Sequence, residues 1–470
     1  VAKKIVNEAH ARIRVPLDAL VLLDDENDDD EGEDHLMFLP TSSLCIPWYF
    51  CRSGPLHEAC AHDHPDVVLF LLQSLGEKAR RASLARTRDT LQLTPMHIAC
   101  REGHAASVKT LLSFFAHDPN LQYDLLNMED GQGKTALHLA CLPKKNAYTT
   151  VKAITTSLPN FTKESWKEAL RTGDNEAVGC LHYACVGGDV RVIKTLVEPW
   201  FPGPEADDPC RLKSSFHGSS LFHWLGDRNT DVSRATRLVD YLLERSGSLS
   251  RAKQLLSSRT FMLHKMCVVA HMLNGRDVMD DTPIHRVCAR DDDCTLRAFL
   301  RIVEDVYLYP EVCLLFGGRR PHAPTHAMAE NEPEQNEDDS NYHDSDYVVD
   351  LDARNINDFT PLHVAAAHGS TRCARILLEF ARKLHFYRCR HTSFRSPIFL
   401  DVNARDEDGC TPLMTAVESR QSEVVEVFLS YGTNVDLNAT ARLSVSTPLD
   451  VAVANLDNDI ADLLKTAGAS

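Results

Sequence analysis

The chain has 470 residues, 43% of them hydrophobic and 25% charged, with a formal net charge of −17. These are ordinary globular values, and no apolar run reaches the roughly 18 residues that would suggest a membrane-spanning helix. The charge is uneven: Asp24–Asp34 holds nine acidic residues and Glu330–Asp352 holds ten, neither with a Lys or Arg, so the remainder is near neutral. Such blocks repel and cannot bury enough apolar area to fold alone, so both are expected to be mobile.

In chain order, residues 1–48 read as an irregular N-terminal segment. Its longest apolar run, Leu17–Leu23, is short and runs into aspartates, unlike a secretory leader. A calcium loop with Gly32 at its sixth position would need Glu at the twelfth, where Phe38 stands. The first residue is Val, which leaves a longer N-terminal part open.

From Gly54 one pattern recurs. SGPLHEAC begins at Ser53, LTPMHIAC at Leu93, KTALHLAC at Lys134, VGCLHYAC at Val178 and SSLFHWLG at Ser219. DTPIHRVC follows at Asp281, FTPLHVAA at Phe359, CTPLMTAV at Cys410 and STPLDVAV at Ser446. In the eighth copy the physics is plain. Asp406-Glu407-Asp408-Gly409 is turn chemistry, Thr411 is a helix N-cap, and Pro412 suits the first helical position. Short polar breaks then lead to second apolar helices, such as Asp66–Leu75, Ser107–Phe115, Asp189–Val197, Cys373–Ala381 and Glu423–Ser430.

A turn plus two helices opened by T-P-L-H-x-A resembles the ankyrin repeat, from roughly Gly54 to the end. The resemblance implies an all-α solenoid with β-turn fingers, and about nine repeats over residues 49–470. The array is irregular. The fourth motif position recurs at spacings of 40, 41, 44, 41, 62, 78, 51 and 36 residues, against a family period of about 33. Insertions are expected near 201–217, 247–276, 307–351 and 384–400, the second adding one or two helices.

Cys60, Cys100, Cys141, Cys185 and Cys288 share one repeat position, three after the His. There each packs as a small apolar group, too far from its equivalents for a disulfide. With no C-x-x-C, the chain reads as reduced and intracellular, cytoplasmic with the nucleus left open. GQGKTALHLA (Gly131–Ala140) resembles a P-loop tail, but the required earlier Gly is Met128, and the letters fit a repeat turn instead. The aligned histidines are expected to bond backbone or hydroxyl groups and tie neighbouring turns together, as the resemblance implies. His264, Cys267 and His271 share a helix face that could suggest metal, yet three ligands on one helix are too few to support a site. No catalytic grouping, metal site or cofactor site is expected.

Two basic stretches, Lys78–Arg88 and Arg382–Arg395, could suggest nucleic acid, but inter-repeat insertions with snorkelling Arg account for them and nucleic acid is not the expected partner. Arg80-Arg81-Ala82-Ser83 resembles a basophilic kinase site, which makes Ser83 a modification candidate. Asn403 matches the family asparagine before the turn; the resemblance implies hydroxylation as a second candidate modification.

In the resembled family, contacts come from turn tips and first-helix faces lining a concave surface. The implied tip residues are Thr90 and Leu91, Gln132 and Lys134, Asn175 and Glu176, and Phe216 and His217. Val278 and Met279, Ile356 and Phe359, and Glu407 and Asp408 follow. First-helix candidates are Arg101, Glu102, His368, Glu418 and Ser419. Phe216, Val278, Met279, Ile356 and Phe359 form an apolar series in repeats five to seven, a pattern of binding surfaces, unless an insertion covers them. The expected function is a non-enzymatic, monomeric protein–protein interaction scaffold without membrane insertion. Two alternatives are the regulatory region of a larger enzyme or channel, and a binder of basic proteins through the acidic tracts.

Overall fold

The computed structural model describes residues 54–74, 78–159, 161–201, 218–225, 231–247, 249, 253–254, 258–308, 348–390, 398–432, 434–442 and 446–469. Phe216, His217, the segment 1–48 and residues 330–347 of the second acidic tract lie outside them. The described residues are helical, with two isolated antiparallel bridges and no strand among them. They fall into two compact units. One runs to Ala184 and includes Arg191–Trp200; the other comprises Cys185–Val190 and the chain from Phe201 onward.

The first unit contains α1 (Pro55–Ala61), α2 (Pro65–Ser74), α3 (Lys78–Ala85), α4 (Pro95–Glu102), α5 (Ala105–Phe114) and α6 (Pro119–Asn127). It continues with α7 (Ala136–Cys141), α8 (Ala147–Thr156) and α9 (Lys163–Arg171), then all but the last two residues of α10 (Cys180–Val186) and all but the first of α11 (Val190–Val197). The motif helices α1, α4 and α7 stack in one row, and α2, α5 and α8 in a second. A third helix follows each pair (α3, α6, α9). These helices account for the long spacings of the early repeats. Asp118 caps α6 and Thr162 caps α9, each accepting a backbone N–H three residues on. Trp166 on α9 is fully buried and donates from Nε1 to the Leu196 carbonyl at 2.7 Å.

The second unit begins with a 3-10 turn at Leu221–Trp224, followed by α12 (Val232–Gly247), α13 (Ser258–Leu273), α14 (Pro283–Arg290) and α15 (Asp293–Tyr307). Then come α16 (Pro361–Ala367), α17 (Thr371–Arg390), α18 (Pro412–Glu418), α19 (Ser422–Tyr431), α20 (Pro448–Ala454) and α21 (Asn458–Thr466). The 3-10 turn, α14, α16, α18 and α20 form the motif row; α12, α15, α17, α19 and α21 form the row behind it. Helix α13 lies in the stretch 247–276 and packs on α12 and α15. Helix α17 continues to Arg390, so the insertion expected near 384–400 begins as helix.

Helices of six to ten residues are not stable alone; burial between the rows holds them. The cysteine position shows this. Cys60, Cys100, Cys141, Cys185 and Cys288 are at most 2% exposed, and burial pushes the Cys60, Cys100 and Cys185 thiols far up from their ordinary range. These buried thiols act as small apolar groups rather than nucleophiles.

Candidate functional site

The fingers are built from short-range hydrogen bonds. Asp89 Oδ1 accepts the N–H groups of Leu91 and Leu93, both at 2.8 Å. Asp130 does the same for Gln132 and Lys134, Asp277 for Met279 and Asp281, and Asn355 for Asn357 and Phe359. One carboxylate or amide oxygen thus closes each turn, which is why Asp or Asn stands there. Asp277 also receives Arg286 Nε at 2.8 Å.

Neighbouring fingers are joined through their backbones. Gly131 donates to the Leu91 carbonyl at 3.2 Å and Asn175 to that of Gln132 at 3.1 Å. In the second unit Ile356 donates to Met279 at 3.0 Å and Arg442 to Asp408 at 2.7 Å. The predicted tip residues Leu91, Gln132, Met279 and Asp408 therefore hold the next finger through their carbonyls while their side chains stay exposed.

In five repeats the motif histidine supplies a second link. In α4 the Thr94 N–H reaches His97 Nδ1 at 3.1 Å, and the hydroxyl lies 2.7 Å from the same nitrogen. With Nδ1 accepting, Nε2 carries the hydrogen and donates to the Lys134 carbonyl at 3.1 Å. His57 reaches Leu93, His223 reaches Asp281, His285 reaches Phe359 and His363 reaches Cys410, at 2.9 to 3.1 Å. His223 keeps this bond although its motif forms only a 3-10 turn. Burial holds all of these imidazoles below their ordinary pKa, His285 and His363 at about 4. In the last repeat Asp450 Oδ2 accepts from the Thr447 N–H and hydroxyl, both at 2.9 Å. An ionised carboxylate reproduces the cap but has no proton to donate onward.

On this frame the apolar tips of the second unit stand clear. Val278 is 56%, Met279 43% and Ile356 59% exposed, on two fingers held by the Ile356–Met279 bond. Phe359 is different: half-buried, it stacks on the His363 ring with centroids 5.6 Å apart and planes 11° apart. In the first unit Thr90 and Leu91 are exposed, Leu91 by 62%. Lys134 Nζ bonds Gln132 Oε1 at 3.0 Å and lies over the Tyr183 ring at 5.3 Å. Arg101 pairs with Glu102 at 2.9 Å. His368, Glu407, Asp408 and Glu418 are exposed and Ser419 half-buried. Burial raises the Glu418 carboxyl from its ordinary range, and Cys410 Sγ lies 3.6 Å from its Oε1.

Asn403 is bound at both ends of its amide: Nδ2 donates to the Asn434 carbonyl and Oδ1 accepts from Asp436 N–H, each at 2.8 Å. The basic stretches are also engaged within the fold. Arg382 lies over the Tyr431 ring at 5.0 Å, Lys383 pairs with Glu304 at 2.6 Å, and Arg88 donates to the Glu129 carbonyl at 2.7 Å. Among the described residues no group of three His, Cys, Asp or Glu side chains is placed to hold a metal ion, and no helix is long and apolar enough to cross a membrane.

A family model described as ankyrin repeats, in three copies, matches residues 56–164, 340–441 and 398–470, together just over half of the chain. No curated protein matches the sequence. Ankyrin repeats are a protein–protein interaction module, and by these matches the chain belongs to the ankyrin repeat family.

Proposed function

We propose that this protein is a non-enzymatic scaffold that binds a partner protein on the finger surface of its second unit, with Val278, Met279 and Ile356 at the centre. The observation that supports this reading is three large apolar side chains left in solvent on two fingers joined by the Ile356–Met279 backbone bond. Exposed apolar groups cost solvation and are retained where a partner covers them. Because two hydrogen-bonded turns fix the fingers, little ordering entropy remains to be lost on binding. Rim contacts fall to His368, exposed at the end of the motif helix of the Ile356 repeat, and to Glu407 and Asp408, exposed on the following one.

The test is capture of the partner from cell extract with wild type and with Met279→Asp/Ile356→Asp, both carried through a thermal melt. Loss of the captured protein at an unchanged melt is the expected result. Retention of that protein by the double variant contradicts the reading. Phe359 is not a suitable probe, because removing its ring also disturbs His363.

A further inference from the structure

We infer that Ser83, on α3, is a regulatory phosphorylation site for a basophilic Ser/Thr protein kinase. Four observations carry the inference.

The first is local charge. Lys78–Arg88 reads KARRASLARTR, with five basic residues and no acidic one. Arg80 and Arg81 precede Ser83 by three and two positions and Leu84 follows it. That arrangement suits an acidic peptide groove with an apolar pocket beyond the acceptor hydroxyl. The second is access: Ser83 is exposed.

The third is ease of opening. Helix α3 has eight residues, and Ala85 is the one fully buried side chain among those described in it. The Arg86 N–H is shared between the carbonyls of Ala82 at 3.1 Å and Ser83 at 3.0 Å, so the helix is already ending at this point. Two turns with so little burial belong to the low-stability end of a fold and can unwind into an extended substrate.

The fourth supplies a consequence. Arg86 stands one helical turn after Ser83 and is ion-paired with Asp124 on α6. In the transfer, Ser83 Oγ attacks the γ-phosphorus of ATP, its proton passes to the kinase base, and ADP leaves. The product places about two negative charges at the last turn of α3, where the helix dipole disfavours them and the Arg86 guanidinium lies within reach. The phosphate takes Arg86 from Asp124, and α3 is released from α6. The finger that begins at Asp89 lies three residues beyond Arg86, so the change is delivered next to Thr90 and Leu91.

The experiment incubates the native full chain with Mg²⁺–ATP and a basophilic kinase and reads intact mass and the modified position. One phosphoryl group at Ser83 is expected, with none on Ser83→Ala. Arg80→Ala/Arg81→Ala should slow transfer roughly a hundredfold, about tenfold for each lost charge-assisted contact. Equal incorporation by Ser83→Ala, an unchanged rate in the double Arg variant, or modification of the denatured chain alone would overturn the site. Amide exchange across 78–88 tests the consequence. It should quicken on phosphorylation and also in Arg86→Ala; unchanged exchange in the phosphorylated chain refutes the release of α3.

Discussion

His285 donates from Nε2 to the carbonyl of Phe359 across 2.9 Å, and the Phe359 ring in turn lies parallel to His363. Three residues of two consecutive repeats are thereby linked in one chain of contacts. His285→Ala removes one of two bonds to the Phe359 carbonyl, which keeps the Asn355 N–H at 3.1 Å, leaves the Thr282 N–H without its partner and opens a void in a buried position. The expected loss is about 2–4 kcal/mol by urea unfolding. Phe359→Ala should cost about 1–2 kcal/mol, since its ring is half-buried. A His285→Ala variant as stable as wild type would show that the ladder contributes nothing.

Acid should weaken the array through these histidines. His138, His285 and His363 have folded pKa values of about 4, against an ordinary value of 6.5. Between those limits the unfolded chain binds more protons, so stability rises with pH; their contribution is full above about 6.5 and is lost as pH falls toward 4. Asp292, Asp350 and Asp352, raised by burial, act in the opposite sense in the same region. A difference measurement isolates one imidazole. The stability drop from pH 6.5 to 4 should be smaller in His285→Asn by on the order of 2 kcal/mol. Side-chain NMR should show the His285 ring neutral, with its hydrogen on Nε2, at pH 5.

Gly133 closes the finger after Asp130 with φ +74°, and an added Cβ would lie 2.7 Å from the Asn175 backbone nitrogen. Gly133→Ala therefore carries both backbone strain and a collision with the neighbouring finger. A cost of about 2–3 kcal/mol is expected, read as a lower melting temperature. An unchanged melt would mean that the Gln132–Asn175 pairing is dispensable.

The turns, the Thr-Pro caps and the histidine positions were legible because each depends on residues within one repeat. Asp406, Thr411 and Pro412 dictate their local geometry whatever surrounds them. The small Cys position was legible for the same reason. What escaped was less periodic. Helices α3, α6 and α9 occur once per repeat in polar stretches, and their signals, such as Asp118-Pro119 before Leu121 and Leu125, are brief. Helix α17 carries the buried stripe of Leu377, Phe380, Ala381 and Leu384 into the start of the insertion expected near 384–400. The pairing of Ile356 with Met279 joins backbone groups 77 positions apart, and no residue type announces such a bond. Phe359 reads as a finger tip by its position before the Thr-Pro cap, and its ring turns back onto His363 four residues on.

The Asp substitutions Met279→Asp and Ile356→Asp should each change stability by less than about 0.5 kcal/mol, as expected for side chains that touch solvent. A loss beyond about 1 kcal/mol in either would mean that these tips are packed rather than presented.

The most direct measurement places a photo-reactive amino acid at Ile356, and separately at Glu379 on the exposed side of α17, and irradiates the chain in cell extract. A single protein cross-linked from position 356 and absent from 379 is the predicted result. Cross-linking from 379 with none from 356 would place the partner on the helical back of the array and contradict a finger-borne interface.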